Sequence, residues 1–172
     1  MPGNSRRKLK RRYIYAIALA VAILDQLTKL ISEAHIPLGH TVPVIGSLLS
    51  FTEVHNRGGA FGMLQPWTGA LTVIGIAVVV AILIFSRSKN RLPVIIAAAL
   101  ACQLGGAIGN VADRIRCGYV IDFIDLHWWP VFNIADSSII IGILLLAYYL
   151  VFHEGRSAPR DVSAPLKKTE DT

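Results

Sequence analysis

Four stretches of the chain are apolar for long enough to cross a lipid bilayer, and this restricts the fold more than any other feature. A helix needs about 20 mostly apolar residues to traverse a hydrocarbon core roughly 30 Å thick. The first stretch opens at Tyr13, carries no charge through Leu24, and continues past Asp25 and Lys29 to Ile31. The second, Trp67 to Phe85, and the third, Leu92 to Ala112, are uncharged; the fourth, Ile134 to Phe152, contains Asp136 as its one ionised residue. A water-soluble helix would keep a polar face along its length, and these do not. The expected fold class is an α-helical membrane protein with four transmembrane helices.

The charges orient it. The net charge is +6, which suggests a nucleic-acid binder until the charges are located. Residues 1–12 contribute +6, and Arg87, Lys89 and Arg91, between the second and third spans, contribute +3. Basic residues concentrate on the cytoplasmic side of membrane proteins, so both termini are expected there. No nucleic-acid partner is expected. The spans and their connections otherwise sum to −3, so the part left for chemistry is acidic. A basic tail (1–12), a four-span domain (13–152) and a disordered cytoplasmic tail (153–172) make up the expected organisation. The connection from Ser32 to Pro66 is long for a simple loop and has a β-prone patch, Leu48 to Val54, so a small extracytoplasmic β-rich region is expected between the first two helices. The first span carries Asp25, Gln26 and Lys29 where a cleaved signal peptide would have small residues, so it reads as a retained helix. Cys102 falls inside a span and Cys117 in an outer loop, an unpromising arrangement for a structural disulfide.

Charges inside a membrane are expensive, about 2.5–3.5 kcal/mol at a helix centre on insertion scales, and so they mark function. Here they gather at the outer ends of the spans. Asp25 and Lys29 stand one helical turn apart and can pair. Asn110, Asp113 and Arg114 end the third span; Asp122 and Asp125 lie in the loop beyond it, and Asn133 and Asp136 open the fourth. Asp136 admits a bland reading, because an acid near a helix N-terminus is favourable in any case. Yet it precedes sixteen uncharged residues and must lie at or below the lipid interface. Asp122, within Val120-Ile121-Asp122-Phe123, sits close to the same interface. If the fold joins these two carboxylates, repulsion separates their pKa values and leaves one as acid and one as base, as needed to activate water against a carbonyl. For Asp113 a salt-bridged helix end, with Arg114 beside it, is the preferred reading. Gly105, Gly106 and Gly109 read first as a helix-packing surface and second as a substrate groove. His127, Trp128 and Trp129 read as an interfacial aromatic belt. The sequence has no His-Glu-x-x-His, Cys-x-x-Cys or Gly-x-Ser-x-Gly motif, so neither a zinc protease nor an elbow-type serine hydrolase is expected.

Five blocks, in order, carry a resemblance. Leu24-Asp25-Gln26-Leu27-Thr28-Lys29, His55-Asn56-Arg57-Gly58-Gly59-Ala60-Phe61, Gly105-Gly106-Ala107-Ile108-Gly109-Asn110-Val111-Ala112-Asp113-Arg114, Val120-Ile121-Asp122-Phe123 and Phe132-Asn133-Ile134-Ala135-Asp136-Ser137 look like the motifs of one family. Over about Tyr13 to Phe152 the chain resembles bacterial lipoprotein signal peptidase (signal peptidase II). The departures are small: Arg57 stands where a small polar residue is common, Gly59 where Ala is common, and Ile124 to Val131, where the family has a flap-like segment, is short.

The resemblance implies an aspartic endopeptidase that cuts signal peptides from diacylglyceryl-modified prolipoproteins just before the lipid-modified cysteine. It implies Asp122 and Asp136 as the catalytic pair, with Asn56, Asn110, Arg114 and Asn133 lining the site. Asp25, Lys29, Gly106 and Asp113 are expected to support the site or the substrate. No metal and no cofactor is expected. The implied setting is the bacterial inner or plasma membrane, with the site at the extracytoplasmic face and a monomer acting on a substrate within the bilayer. The competing class is a small transporter or channel subunit that uses the outer acids for ions, but such sites lie near the bilayer midplane, often on broken helices.

Overall fold

The computed structural model describes residues 7–58 and 67–154. The Gly59-Ala60-Phe61 end of one motif and the tail from residue 155 lie outside them. Four long helices form the body: α1 (Arg11–His35), α2 (Thr68–Arg87), α3 (Val94–Cys117) and α4 (Ile134–Tyr149), the last continued by a π-helical turn over Leu150–Glu154. All four are long and apolar enough to span a membrane. Their exposed surfaces are dominated by Leu, Ile and Val, among them Leu19, Ile23, Ile74, Ile84, Ile143 and Leu144. That is the expected exterior of a molecule whose solvent is lipid.

α3 is the hub and packs against α1, α2 and α4. It buries 61% of its most apolar stretch, against 6% for α2. Its composition explains why. Ala97, Ala99, Ala101, Gly105, Gly106, Ala107 and Gly109 are all buried small residues. Without a hydrophobic driving force between helices in lipid, close backbone approach and dispersion contacts hold a bundle together. At Gly105 a Cβ would lie 2.6 Å from both the Ala18 carbonyl oxygen and the Val21 Cβ of α1. Gly105→Ala is therefore expected to push α1 and α3 apart and to destabilise the fold by roughly 1–3 kcal/mol. A lowered Tm in detergent checks this; an unchanged Tm would show that the helices have room to give.

Two small sheets sit at opposite ends of the bundle. At one end β1 (Lys8–Lys10) pairs antiparallel with β4 (Arg91–Pro93). The backbone N–H of Val94 donates to the Arg7 carbonyl at 3.2 Å, and the Arg11 guanidinium donates to the Arg87 carbonyl at 3.2 Å. This basic ribbon sets the starts of α1 and α3 side by side. Next to it lies an apolar core that includes Ile14, Ala18, Ile82, Leu100 and Leu104.

At the other end β2 (Thr41–Ile45), β3 (Leu49–Asn56) and β5 (Val120–Asp125) form an antiparallel sheet in that order. Two strands come from the α1–α2 connection and the third from the α3–α4 connection. Gly118, in the left-handed conformation with φ of 77°, ends α3, and its N–H donates to the Arg114 carbonyl at 3.0 Å. Only two residues then separate α3 from β5. A helix rises 1.5 Å per residue, so Asp25 on α1 and Asn110 on α3 lie roughly 20–25 Å from the ribbon end. The polar residues of the spans thus meet just beneath the sheet.

Candidate active site

Asp122 takes its position from sheet register. It lies opposite Val54, and Val120 opposite Asn56. Side chains two apart share a face, so Asn56 is a diagonal same-face neighbour of Asp122. Its Nδ2 donates to Asp122 Oδ2 at 2.8 Å. Asp136 takes its position from a helix cap. Asn133, in extended conformation, is the N-cap of α4 and accepts the Asp136 N–H at 2.8 Å, as capping residues do for the third residue of a helix. Asp136 is thus part of a helix start, as the bland reading had it.

Two asparagines tie the carboxylates together. The fully buried Asn133 donates through Nδ2 to Asp122 Oδ1 at 2.6 Å and to Asn110 Oδ1 at 3.2 Å. Asn110 Nδ2 in turn donates to Asp136 Oδ1 at 2.7 Å. The sequence separates Asp122 and Asp136 by a loop; the fold links them through one amide on each side. Burial, and then the negative charge of Asp136, push the Asp122 carboxyl up to about 7. A pair of carboxylates in this state retains one shared proton near neutrality and titrates as a unit.

Beneath the pair lies a buried ionic cluster. Lys29 Nζ sits 2.8 Å from Asp25 Oδ2 and 2.7 Å from Asp113 Oδ2, and donates to Asn110 Oδ1 at 3.0 Å. All three hydrogens of the ammonium are therefore engaged. Asp25 Oδ1 accepts the Ala135 N–H at 2.8 Å, at the second position of α4. Asp113 Oδ2 accepts the Ile121 N–H at 3.3 Å, in β5. The cluster thus braces both backbone segments that carry the carboxylates. Asp113 was expected to pair with Arg114, its neighbour; successive residues of a helix point about 100° apart, and its nearest cation is Lys29 across the bundle at 2.7 Å, with Arg116, three residues on, at 3.9 Å. Gln26, not singled out from the sequence, belongs here too: its amide donates to Asp113 Oδ1 at 2.8 Å and to the Gly109 carbonyl at 3.2 Å. Its signal was the run Asp25-Gln26-Leu27-Thr28-Lys29, with one more polar residue than an ion pair needs.

A groove of about 430 Å³ opens beside the pair, with Asn56, Asn110, Arg114 and Asp136 in its wall. Trp128 and Trp129 form part of the same wall, so their role is wider than an interfacial belt. The segment carrying them is short and pinned at its base, where Phe132 N–H donates to the Ile124 carbonyl at 3.1 Å and Ile124 N–H to the Phe132 carbonyl at 2.8 Å. Gly106 does not line the groove. A Cβ there would collide with the Ala135 carbonyl of α4, so its place is in packing.

Comparison with known proteins places the chain in a family. A family described as signal peptidase (SPase) II matches residues 17–152. The chain belongs to the signal peptidase II family. The lipoprotein signal peptidase of Caldanaerobacter subterraneus subsp. tengcongensis is 47% identical over 142 residues, covering 81% of this chain and 96% of that protein. That of Moorella thermoacetica is 42% identical over 141 residues, covering 81% and 93%. Among solved structures, a bacterial membrane enzyme determined by the in meso method superposes with a TM-score of 0.80 at 32% identity, covering 88% of this chain and 94% of that one. For this signal peptidase II family member, the fold brings together nine of the ten residues singled out in the sequence: Asp25, Lys29, Asn56, Asn110, Asp113, Arg114, Asp122, Asn133 and Asp136 join through hydrogen bonds, ion pairs or the groove wall.

Proposed function

We propose that this chain is an aspartic endopeptidase of the bacterial cell membrane that removes signal peptides from diacylglyceryl-modified prolipoproteins, cutting before the lipid-modified cysteine. The observation that carries the reading is the asparagine-linked pair Asp122 and Asp136 at the edge of a largely apolar groove, in a chain of this family. The transporter alternative is left without support, since the polar residues converge on one groove at one end of an unbroken bundle.

The chemistry follows from a pair that holds one proton. A water between the carboxylates gives a proton to the ionised one as its oxygen attacks the carbonyl carbon preceding the cysteine. The protonated carboxyl donates a hydrogen bond to the oxygen that becomes negative, and Arg114 in the groove wall adds positive charge to the same side. The C–N bond then breaks, the departing amine takes the proton from the first carboxylate, and the pair returns to its starting state. Trp128, Trp129 and the apolar flank of α4 suit acyl chains and a signal helix entering from the lipid. The basic ribbon supports cytoplasmic termini, and with them a groove facing the extracytoplasmic side. Residues 13–152 constitute the working domain. One chain supplies both carboxylates, their asparagines and the groove, so a monomer suffices.

The decisive experiment presents the purified chain, in lipid or detergent, with a prolipoprotein in diacylated and unmodified forms. Cleavage of the diacylated form before its cysteine is expected, with the unmodified form left intact. No processing of the diacylated form would overturn the reading. The pH profile tests the shared proton. Because the carboxyl of Asp122 titrates at about 7, raising the pH through that value removes the pair's last proton and its acid. The rate is expected to fall above about pH 7, and a flat profile to pH 9 would contradict a shared proton.

A further inference from the structure

We propose that Glu33, Glu53 and His55 form a binding site for a divalent cation of zinc type, beside the sheet and apart from the aspartate pair. Glu53 and His55 are two residues apart on β3 and so share a face, while Glu33 stands in the last turns of α1. One ligand atom from each lies within 4.8 Å of the other two. The second observation is the state of Glu53. It is 2% exposed, and its Oε2 accepts from the Ser32 hydroxyl. Its Oε1 is buried and has no hydrogen-bond partner among the described residues. The nearest basic group is His55 Nε2, at 3.7 Å. A buried carboxylate oxygen 3.7 Å from an imidazole nitrogen, with a Glu33 oxygen within reach of both, brings three potential metal ligands together.

The donor set and its surroundings fit. Carboxylate and imidazole are both zinc ligands, with bonds of about 2.0–2.2 Å, and three protein ligands leave a fourth position open to water. Such bonds place neighbouring ligand atoms about 3.3 Å apart in a tetrahedron, so Glu53 and His55, at 3.7 Å, need to close in by only about 0.4 Å and the widest separation by up to about 1.5 Å. The exposed Glu33 has the freedom to do so. Its present partner is Arg116, at 3.6 Å, which an ion would displace. His55 is held in plane by stacking on Tyr119, with ring centres 3.9 Å apart and planes 16° apart; such outer support orients a histidine ligand.

The ion would take no part in hydrolysis. It would tie the end of α1 to β3, one residue before Asn56, whose amide donates to Asp122. The site is thus a brace behind one wall of the groove. The proposal does not depend on what the chain cleaves.

The test is a Zn²⁺ titration of the full, tag-free chain in detergent after chelator treatment, by calorimetry and by Tm. Saturable binding of one ion per chain and a higher Tm are expected. Glu53→Gln should weaken binding at least about tenfold, and Glu33→Gln, an exposed change that keeps the fold, should weaken it measurably. Asp136→Asn should leave binding unchanged. Absence of saturable binding to the unaltered chain would overturn the proposal. So would an affinity indifferent to Glu33→Gln and Glu53→Gln, or one lost in Asp136→Asn, which would place the ion at the aspartate pair.

Discussion

Changing Asp136 to asparagine is expected to lower kcat by roughly 10³–10⁴-fold while leaving the Tm nearly unchanged, and Asp122→Asn is expected to lower both. The loss of rate is common to the two, since either change removes a carboxyl that must bind or release a proton in the reaction. The difference in stability comes from the hydrogen bonds. Asp122 accepts an amide N–H at each oxygen, from Asn133 at 2.6 Å and from Asn56 at 2.8 Å. An asparagine there must turn its own NH₂ toward one of those donors. That leaves a donor facing a donor at a nearly inaccessible position, which costs about 1–3 kcal/mol. Asp136 accepts from Asn110 at one oxygen, is also bonded by the Asn133 backbone, and lies in the groove wall. Its asparagine can keep the Asn110 bond with the carbonyl and present the NH₂ to the groove. Cleavage rates and thermal unfolding of both variants in the same detergent check the pair of statements. Full activity in either variant would remove the aspartates from the mechanism. Equal losses of Tm would remove the donor–donor conflict.

How much of this was readable in the sequence depended on whether a feature is written locally. The four helices were, because a span is a continuous run of apolar residues. The Asp25–Lys29 pair was, because residues four apart share a helix face. The starting point of α4 was readable from Asn133 and Asp136, three apart, as in a helix cap. β5 was not. The first four of its residues, Val120 to Phe123, are buried on both faces, so the alternation that marks a half-buried strand is missing. The ribbon of β1 and β4 escaped notice because three-residue strands rich in Lys and Arg read as a charged tail. Hydropathy also could not name α3 as the hub. α2 is the more hydrophobic of the two and the less buried, since in lipid an apolar surface is no signal for the interior. The better guide was residue size, and Gly105, Gly106 and Gly109 carried it. The partners of Asp113 and Glu53 were invisible for a simpler reason, which is that each is decided by a contact between distant segments.

Lys29→Met is expected to be the most damaging single substitution in the bundle, costing about 3–5 kcal/mol of stability and most of the activity. The side chain is fully buried, as are Asp25 and Asp113. Methionine fills nearly the same volume, so packing loss is small and the electrostatic consequence stands alone. Removing the cation leaves Asp25 without its counter-charge and Asp113 with only the more distant, half-exposed Arg116 at 3.9 Å, and breaking a buried pair from one side has this order of cost. Activity falls for a separate reason. Lys29 and Asn133 both donate to Asn110 Oδ1, and that fixes which end of the Asn110 amide meets Asp136. Without the ammonium one of the two restraints is gone, and the NH₂ that holds Asp136 can turn away. The double change Lys29→Met with Asp113→Asn separates the two effects. It removes one of the two carboxylates and should recover part of the lost Tm, while Asn110 stays loosely oriented and cleavage stays low. Recovery of both together would mean that the cluster supports the fold alone; recovery of neither would mean that Asp25, which caps Ala135, is the carboxylate that most needs its cation.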